Sequence, residues 1–593
     1  MSRSALVAEF VVQGARRYDQ RSARRWLMSH VVQYRGLLVV FGCSTVLSSV
    51  ASASIPVWTG RAFDAVAAGQ VAPLVGIAGA MVGIALLQGG TQAASSWLVE
   101  LVGRRLERDV RDELYVSLLG KSQTFHNRQR VGDIMARASN DVGQLSPILN
   151  PGLSLISRSL LALVVPIVFI ALIDLRLLVA PLLFTVAFAF ALRLYMRQLG
   201  PVSHALRGQF GTMNASLAET VAGIEVVKAL VAEQHERARF LGHATAVRDL
   251  FVKVGKAQAV YLPTLFAGLA IAGGFAHGLY LLAVDALSLG DLVAFMGLMS
   301  ALRLPAFISI FTFWLVQIGI AAAGRVLQLI QTETELDENA TGHGAVLTGE
   351  VEFDAVDFGY DGADGKQVLR GLSFRVPAGT TVAIVGQTGS GKSTLTKLLN
   401  RTYDVSGGSI RLDGVDVRSW NLQELRPQIS VIEQDVFLFS RSIADNISFG
   451  LGEVATPEAI ERAARDAQAH DFITGFSEGY GTVIGERGVT LSGGQRQRLA
   501  IARALMTDPR ILVIDDGTSA IDSATEDAIQ RAIAAVLQGR TTFLITHRLS
   551  QIRRADWILV LDRGALVDQG TFADLIQSSP MLRRIFAQHD AGA

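Results

Sequence analysis

A chain of 593 residues is longer than one ordinary domain, and its net charge of +1 gives no indication of a nucleic-acid partner. Half of the residues are hydrophobic, only 18% are charged, and the mean hydropathy of +0.36 is unusual for a soluble protein. The single cysteine, Cys43, excludes an intrachain disulfide and a cysteine-based metal site. Because charges are scarce up to about residue 320 and ordinary beyond it, we predict a membrane part followed by a soluble part.

The first 35 residues are predicted to be a cytosolic segment that ends in a helix at the membrane surface. No short apolar core with a cleavage site is present there, so we expect no signal peptide. The stretch RSARRWLMSHVVQY has the pattern of an amphipathic interfacial helix. We expect Trp26 to anchor this helix in the lipid interface.

Six apolar stretches follow, each long enough to cross about 30 Å of hydrocarbon as a helix. Their predicted bounds are 37–58, 72–98, 146–173, 177–199, 258–284 and 289–318. The connections after the second and fourth stretches are long and have a helical pattern, and the other connections are short. Arginine and lysine are concentrated in the N-terminal segment and in the first long connection, so we predict that both termini and both long connections are cytoplasmic.

Five polar side chains lie within or near the predicted spans: Gln88, Arg158, Arg193, His277 and Arg303. A charge inside a membrane is costly and is therefore a functional hypothesis. The alternative is that these side chains reach the interface or pair with a neighbouring helix. Their spacing does not resemble a metal site.

In the soluble part, a glycine-rich loop follows the apolar stretch TVAIV, which is predicted to be a buried strand. The loop and the start of the next helix match the P-loop pattern, and we assign nucleotide binding to Gly386, Gln387, Thr388, Gly389, Ser390, Gly391, Lys392, Ser393 and Thr394. Glycines allow backbone N–H groups to surround phosphates, and the helix N-terminus adds its positive dipole. Lys392 is expected to reach the terminal phosphates and Ser393 to ligate Mg²⁺.

A second apolar strand, ILVI, leads directly into Asp515 in the stretch RILVIDDGTSAID. An aspartate at the end of a buried strand can hold Mg²⁺ through its water shell. The alternative role of Asp515 is to cap the following helix.

A third stretch, LSGGQRQRLAIARAL, predicts a second anion site at a helix N-terminus. Its members are Leu491, Ser492, Gly493, Gly494 and Gln495. Two anion sites about a hundred residues apart are unexpected in a simple P-loop enzyme. They are reasonable if the second site binds the nucleotide held by a partner domain.

Together, the P-loop, LSGGQ and ILVIDD resemble the motifs of ATP-binding-cassette (ABC) ATPases. The stretches FHNRQRVGDIMARASNDV and LAETVAGIEVVKALVAEQHERARF resemble the two intracellular connections of ABC exporters, so the resemblance covers nearly the whole chain. It implies a multi-domain protein, with an all-α six-helix transmembrane domain followed by an α/β P-loop ATPase. We predict bounds of 1–35 for the N-terminal segment and its interfacial helix, 36–330 for the membrane domain, 331–348 for a linker and 349–590 for the ATPase.

The resemblance implies further site residues. Tyr360, in FGYDG, matches the aromatic residue that stacks on adenine, with Phe358 as a weaker candidate. Gln434 and His547 match the Q-loop glutamine and the switch histidine, which contact Mg²⁺, the attacking water and the terminal phosphate. Asp522 matches the D-loop aspartate, which communicates between two ATPase domains. ATP and Mg²⁺ are the implied cofactors.

One position departs from the family. The residue after the magnesium aspartate is normally a glutamate that polarises the attacking water, and here it is Asp516. Aspartate is one methylene shorter, so its carboxylate lies about 1.5 Å further from the water. A displacement of that size can reduce a rate about 100-fold. The resemblance therefore favours a heterodimer in which this chain provides the impaired site, and the alternative is a homodimer with Asp516 as a working base.

The expected function is ATP-driven export of hydrophobic or amphipathic compounds, such as drugs or lipids, by a dimer of half-transporters in a membrane. An importer built on the same fold, for example for siderophores, would have a similar sequence. The composition, rich in Ala and Arg with few Lys, favours a bacterial plasma membrane.

Overall fold

The computed structural model describes residues 8–12, 14, 16–259, 262–360, 366–485, 488, 490–515, 532–533, 537 and 539–584. These residues form two compact units. One, the membrane unit, contains Arg16–Tyr115 and Ile134–Gln331. The other, the ATPase unit, contains Val116–Asp133 and the chain from Thr332 onward, together with the start of the chain.

The described residues up to Gln331 are mostly helical. In chain order the helices are α1 (Ala23–Val32), α2 (Arg35–Ala67), α3 (Ala72–Leu119), α4 (Gln123–Arg128), α5 (Val131–Ala136), α6 (Ser154–Ile173), α7 (Val179–Ala222), α8 (Ile224–Ala229), α9 (Glu233–Ala259), α10 (Leu262–Ala283), α11 (Leu289–Ala301) and α12 (Arg303–Gln331). Short π-helical turns over Arg137–Asp141 and Ile148–Leu153 precede α6.

Five of the described helical stretches are long and apolar enough to cross a membrane. They are Arg35–Ala67, Ala72–Leu119, Ile148–Ile173, Leu175–Ala222 and Leu265–Ala283. The sixth predicted span corresponds to two consecutive helices, α11 and α12, which meet at Leu302. The predicted helical membrane domain is therefore confirmed.

The helices that contain two of the predicted spans extend beyond the apolar stretch, as the helical pattern of the two long connections predicts. The second was predicted to end at residue 98 and the fourth at residue 199, whereas α3 continues to Leu119 and α7 to Ala222. Hydropathy detects only the stretch that fits inside lipid. Beyond that stretch the helices continue with charged residues, because helical hydrogen bonding does not depend on an apolar environment.

A helix forms where the interfacial helix was predicted, but the role given to Trp26 was wrong. Trp26 is completely buried, and its indole N–H donates to Glu113 Oε2 of α3 at 2.9 Å. His30, one turn later and also buried, lies 2.9 Å from the same oxygen through Nε2. Pairing with a carboxylate 87 residues further along the chain holds the apolar face of α1 against protein rather than lipid.

The ATPase unit contains two sheets. Its strands are β1 (Val351–Phe358), β2 (Leu369–Val376), β3 (Thr381–Gly386), β4 (Gly407–Leu412), β5 (Val415–Asp416), β6 (Ile429–Ile432), β7 (Ile511–Asp515), β8 (Thr541–Ile545), β9 (Trp557–Asp562) and β10 (Ala565–Gly570). One sheet is antiparallel with the order β2-β1-β4-β5, and the other has the order β10-β9-β3-β8-β7-β6. In the second sheet β9, β3, β8, β7 and β6 are parallel.

Described helices that accompany these strands are α13 (Lys392–Leu399), α14 (Leu422–Leu425), α15 (Ile443–Ile447), α16 (Pro457–Asp466), α17 (His470–Thr474), α18 (Gly493–Met506), α19 (Leu549–Ile552) and α20 (Phe572–Ser578). The central parallel strands are almost continuously apolar and buried, as expected for a sheet covered on both faces. The α/β prediction for this region is therefore confirmed.

The parallel sheet separates a first hydrophobic core on one face from a second core and a smaller third core, around α19 and α20, on the other. The first core joins Val382, Ile384 and Leu395 to the antiparallel sheet, and the second joins Ile514 and Leu544 to the helical region that includes α18. Alternate side chains of one strand point to opposite faces, so neighbouring residues of β7 enter different cores. Val513 belongs to the first core and Ile514 to the second.

Three segments from outside the predicted ATPase bounds pack within the ATPase unit. Asn127 of α4 donates to the Tyr403 hydroxyl at 2.8 Å. The Ser122 N–H donates to Thr334 Oγ1 at 2.8 Å, so the predicted linker is also fixed there. Near the start of the chain, Glu9 forms a 2.7 Å ion pair with Arg426.

Candidate nucleotide-binding site

The predicted site residues meet at the carboxyl edge of the parallel sheet. The P-loop follows β3, Gln434 follows β6, Asp515 ends β7 and His547 follows β8. Parallel strands present their carboxyl ends at one edge, where the crevice of an open α/β sheet binds ligands. Four segments that are distant in sequence are therefore brought to one edge, and both Gln434 and His547 are exposed there.

At several P-loop positions, the backbone conformation or a close neighbouring atom leaves room only for glycine. Gly389 and Gly391 have φ of +81° and +99°, in the left-handed region that favours glycine. A Cβ on Gly386 would lie 2.3 Å from the Leu561 carbonyl oxygen, and one on Gly391 would lie 2.6 Å from Leu369 Cδ2. The loop is thus fixed in the curved shape that directs backbone N–H groups toward an anion.

Lys392, the first residue of α13, is 9% exposed. Its ammonium donates to the carbonyl oxygens of Gly386 at 2.8 Å and Gln387 at 2.9 Å. Burial lowers the pKa of Lys392 below its ordinary value, and the nearby Asp515 carboxylate partly opposes that shift. A buried ammonium held by neutral carbonyls is suited to an incoming polyphosphate, because the phosphate supplies the negative charge that these partners lack.

Ser393 and Asp515 are joined directly. Ser393 Oγ donates to Asp515 Oδ2 at 2.7 Å, so residues 122 positions apart form one oxygen cluster. Hydroxyl and carboxylate oxygens are ligands that Mg²⁺ accepts. Among the described residues, the buried Ser390 Oγ is one of the side-chain atoms without a hydrogen-bond partner. A phosphate oxygen in the loop would supply a partner, so the donor set fits a magnesium nucleotide.

Tyr360 lies beside α13. Its hydroxyl is 3.0 Å from Thr394 Oγ1, and its ring makes edge contacts with Phe358 and Tyr403. Tyr360 remains 38% exposed, whereas Phe358 is 3% exposed and belongs to the first core. An exposed ring can stack on a base, so the geometry favours Tyr360 over Phe358 for that role.

The LSGGQ stretch forms the start of α18. Ser492 caps the helix: its Oγ accepts from the Gln495 N–H at 3.3 Å, and Gln495 Oε1 accepts from the Ser492 N–H at 2.9 Å. Ser492 and Gly493 are exposed, and a Cβ on Gly493 would meet nothing within 4 Å. Leu491 and Gly494 are buried and support this turn.

The two glycine-rich helix starts belong to different cores of the ATPase unit. Residues around the P-loop contribute to the first core, and Leu491 and Leu499 around α18 contribute to the second. The structure therefore assembles Lys392, Ser393 and Asp515 into one cluster and leaves Ser492 and Gly493 as a separate open surface.

The predicted catalytic residue Asp516 and the predicted D-loop residue Asp522 lie outside the described residues. Tyr403 was missed by the sequence reasoning, although it contacts Tyr360 and accepts from Asn127. Its only sequence signal is its place shortly after the P-loop helix, which by itself does not distinguish it from other aromatic residues.

Comparisons with known proteins agree with this geometry. A family model described as the ABC transporter transmembrane region matches residues 38–305, and one described as ABC transporter matches residues 369–519. The chain is 33% identical over 512 residues to the ATP-dependent lipid A-core flippase of Escherichia coli, covering 86% of this chain and 87% of the flippase. It is also 33% identical over 513 residues to an uncharacterized ABC transporter ATP-binding protein of Bacillus subtilis, covering 85% and 86%. A solved structure of a bacterial Atm1-family ABC exporter with ATP bound has a TM-score of 0.78 at 31% identity, covering 94% of this chain and 98% of that one.

Proposed function

The chain belongs to the ABC exporters as a half-transporter, and from this premise we propose that it forms a heterodimer in which its own P-loop lies in the slower of two ATP sites. Members of this family couple ATP hydrolysis to transport, and half-transporters work as dimers. The chain is accordingly an ATP-binding, multi-pass membrane protein. The finer assignment concerns the residues that act, the partner and the cargo.

We assign nucleotide binding to the cluster around α13. Lys392 neutralises the terminal phosphates, and the loop from Gly386 to Gly391 surrounds them with N–H groups. Ser393 and Asp515, which share a 2.7 Å hydrogen bond, hold Mg²⁺. Gln434 and His547 contact the metal, the water and the terminal phosphate, and Tyr360 stacks on adenine.

The exposed LSGGQ turn is assigned to the partner's nucleotide. Its N–H groups and helix dipole suit an anion, yet it belongs to the core that does not contain the P-loop. ATP held by the P-loop of one subunit and the LSGGQ turn of the other would join the two ATPase units. Loss of the terminal phosphate would then release them.

Asp516 is the single observation that carries the heterodimer. It directly follows Asp515, at the position where the family has a glutamate that polarises the attacking water. With an intact LSGGQ turn and a shortened base, this chain is suited to support hydrolysis at the partner's P-loop and to retain ATP at its own. Asp522 is proposed to communicate between the sites.

The proposed cargo is a hydrophobic or amphipathic compound, such as a drug or lipid, and the proposed location is the bacterial plasma membrane. The relatives named as a lipid A-core flippase and an Atm1-family exporter favour export over import. Membrane-spanning stretches with few charged side chains are suited to apolar molecules.

The test is ATP hydrolysis by the purified full chain in lipid vesicles, alone and with the half-transporter encoded beside its gene. In the chain alone, Asp516→Glu should raise turnover by at least about tenfold, because it restores the reach of the carboxylate. Lys392→Ala in the same background is the control that identifies contaminating ATPases.

An unchanged rate in Asp516→Glu would show that the shorter carboxylate does not limit the rate of ATP hydrolysis. Rapid turnover by the unaltered chain alone, lost in both Asp516→Asn and Lys392→Ala, would establish a homodimer with Asp516 as its base. Negligible turnover alone, restored by the partner, supports the heterodimer.

A further inference from the structure

We propose that residues 8–12, called the strap below, hold the carboxyl end of the P-loop helix α13, and that bound nucleotide strengthens this hold in return. The inference rests on the nucleotide binding proposed for α13 and adds a positioning residue, Glu9, to that site. The strap and α13 both belong to the ATPase unit. Every contact that carries the inference therefore lies within one compact unit.

The strap is attached at three places. The Glu9 N–H donates to the Gly120 carbonyl oxygen at 2.9 Å, one residue after the end of α3. The Ala8 carbonyl oxygen accepts from the Glu338 N–H at 2.7 Å, in the chain that leads from α12 to β1. The third attachment is the 2.7 Å ion pair between Glu9 and Arg426. A segment of five residues thus connects three parts of the chain that are remote in sequence.

The ion pair of Glu9 differs from an ordinary surface pair. An exposed ion pair contributes little, because water screens both charges. The Glu9 side chain is only 11% exposed. The strap also packs closely against the end of α3, since a Cβ on Gly120 would lie 2.7 Å from the Phe10 carbonyl oxygen. The strap is therefore fitted into the ATPase unit at this point.

Arg426 connects the strap to the P-loop helix. Its Nη1 donates to Glu9, its Nε donates to the Asn400 carbonyl oxygen at 3.3 Å, and its Nη2 donates to the Arg401 carbonyl oxygen at 2.9 Å. These carbonyls directly follow α13, at the helix end that carries the partial negative charge. The carboxylate of Glu9 thus orients the guanidinium that holds the end of α13.

The turn that Arg426 holds is under strain. Arg401 has φ of +51°, at a position after a helix that glycine usually occupies. Such a conformation persists where surrounding contacts hold it. Among the described residues, Arg401 Nη1 and Glu9 Oε1 are both buried without a hydrogen-bond partner, which is also costly. A small shift of α13 can therefore change the strength of this contact.

The strap and the nucleotide act on opposite ends of one short helix. α13 has 8 residues, so its ends lie about 12 Å apart. Lys392 and Ser393 are at its amino end, and the carbonyls bound by Arg426 follow its carboxyl end. Phosphates bound at the amino end restrict the helix, so less entropy is lost when the other end is held. By linkage, the strap should strengthen ATP binding by the factor by which ATP strengthens the strap.

The experiment combines hydrogen–deuterium exchange with nucleotide titration of the full chain in lipid nanodiscs. The probe is a non-hydrolysable ATP analogue with Mg²⁺. At saturation it should slow exchange of the Glu9 and Glu338 amides, which form the strap's backbone hydrogen bonds, by about fivefold. Glu9→Gln should weaken binding of the analogue by a similar factor and remove the protection at Glu338.

Glu350→Gln is the matched control, because it removes the carboxylate of another 2.7 Å ion pair in the ATPase unit, with Arg375. It should leave affinity and protection unchanged, and equal losses in this variant would overturn the role of Glu9. Adding Glu9→Gln to Arg426→Ala should have no further effect on affinity, because both changes act through one contact. If Arg426→Ala does not fold, Arg426→Met, with an apolar chain of similar length, takes its place.

A purely structural role for Glu9 predicts a different result. Glu9→Gln would then lower the melting temperature but leave affinity unchanged well below it, and this outcome would overturn the proposal. Protection that persists in Arg426→Ala at saturating analogue would also overturn it, because the signal would not pass through Arg426.

The same samples separate the strap from the proposed nucleotide site. Lys392→Ala should lose both binding of the analogue and protection of the strap. Normal binding by the unaltered chain without slower exchange at Glu9 and Glu338 would overturn the strap alone. Absence of binding by the unaltered chain would contradict the nucleotide assignment and the strap together.

Discussion

The two glycine-rich helix starts of the ATPase unit differ in how much of an anion site each one supplies. At the P-loop, a buried ammonium donates to two backbone carbonyls at 2.8 and 2.9 Å, and beside it a hydroxyl donates to a carboxylate at 2.7 Å. At α18, the exposed Ser492 and Gly493 offer only backbone N–H groups and a helix dipole. Ser492 and Gln495 already cap this helix through two reciprocal hydrogen bonds. We propose that the first binds a nucleotide by itself, whereas the second contacts only the nucleotide of another subunit. Similar local sequences would then differ in their dependence on a partner.

Removing the ammonium should have the largest effect. Lys392→Ala is expected to reduce ATP hydrolysis by about 100-fold or more, because the terminal phosphates lose their main cation. ATP binding to the isolated chain should fall in the same samples, measured by fluorescent nucleotide titration. Near-normal binding would contradict the role of Lys392, and a melting temperature close to that of the unaltered chain would exclude misfolding.

Introducing a negative charge at the N-terminus of α18 should reduce ATP turnover without changing ATP binding. Gly493→Asp places a carboxylate at the α18 N-terminus, where a Cβ meets nothing within 4 Å. Turnover of the dimer should fall by about tenfold or more, because like charges repel at short range. ATP binding to the monomer should be unchanged, since the P-loop is intact.

The matched control is Gly481→Asp, which adds the same charge at another exposed glycine with open space around it. It should leave turnover unchanged. If Gly493→Asp weakens ATP binding to the monomer, the two helix starts serve one nucleotide within a single chain, and the contrast between them is lost.

The adenine contact should have a smaller effect. Tyr360→Ala is expected to weaken ATP binding by about tenfold, since stacking of one base on an aromatic ring contributes about 1–3 kcal/mol. Tyr360→Phe keeps the ring and loses the hydrogen bond to Thr394, so it should retain most of the affinity. Equal losses in both variants would assign the effect to the hydroxyl rather than to stacking.

The smallest effect concerns pH. Burial lowers the pKa of Lys392 in the free protein, and bound phosphates should raise it again. ATP affinity should therefore be fully present below the lowered pKa and should fall as pH rises toward the pKa of the bound state. Titration of the unaltered chain against Lys392→Arg checks this, because arginine stays charged and its weaker binding should not change over the same range. Parallel pH profiles for both proteins would exclude titration of Lys392.

The sequence predicts the fold well where a motif is local. The strand, loop and helix around Gly386–Ser393 are contiguous, and the apolar length of a span is visible in its composition. Prediction fails where the partner is distant in sequence. Trp26 has the composition of a lipid anchor, yet Glu113 binds its indole, and nothing near residue 26 indicates that contact.

Two further features depend on tertiary contacts. The neutral surroundings of Arg158 come from Ser96 and Gln92, more than 60 positions earlier, so the sequence could offer only alternatives for that arginine. The boundary of the ATPase unit is also hidden, because α4 and the chain before β1 look like connections. Their hydrogen bonds to the unit arise from individual residues such as Asn127 and Thr334.

That boundary determines what a severed ATPase fragment would retain. A fragment begun at residue 349 lacks the Thr348 side chain that donates to Asp413 at 2.7 Å, and the backbone of His343 that pairs with Trp420. It also leaves the Tyr403 hydroxyl without Asn127 and Arg426 without Glu9. Beginning the fragment at Thr332 keeps the first two contacts. The last two require pieces of chain that enter from far upstream, so the catalytic half of this protein is not a contiguous module that proteolysis could release intact.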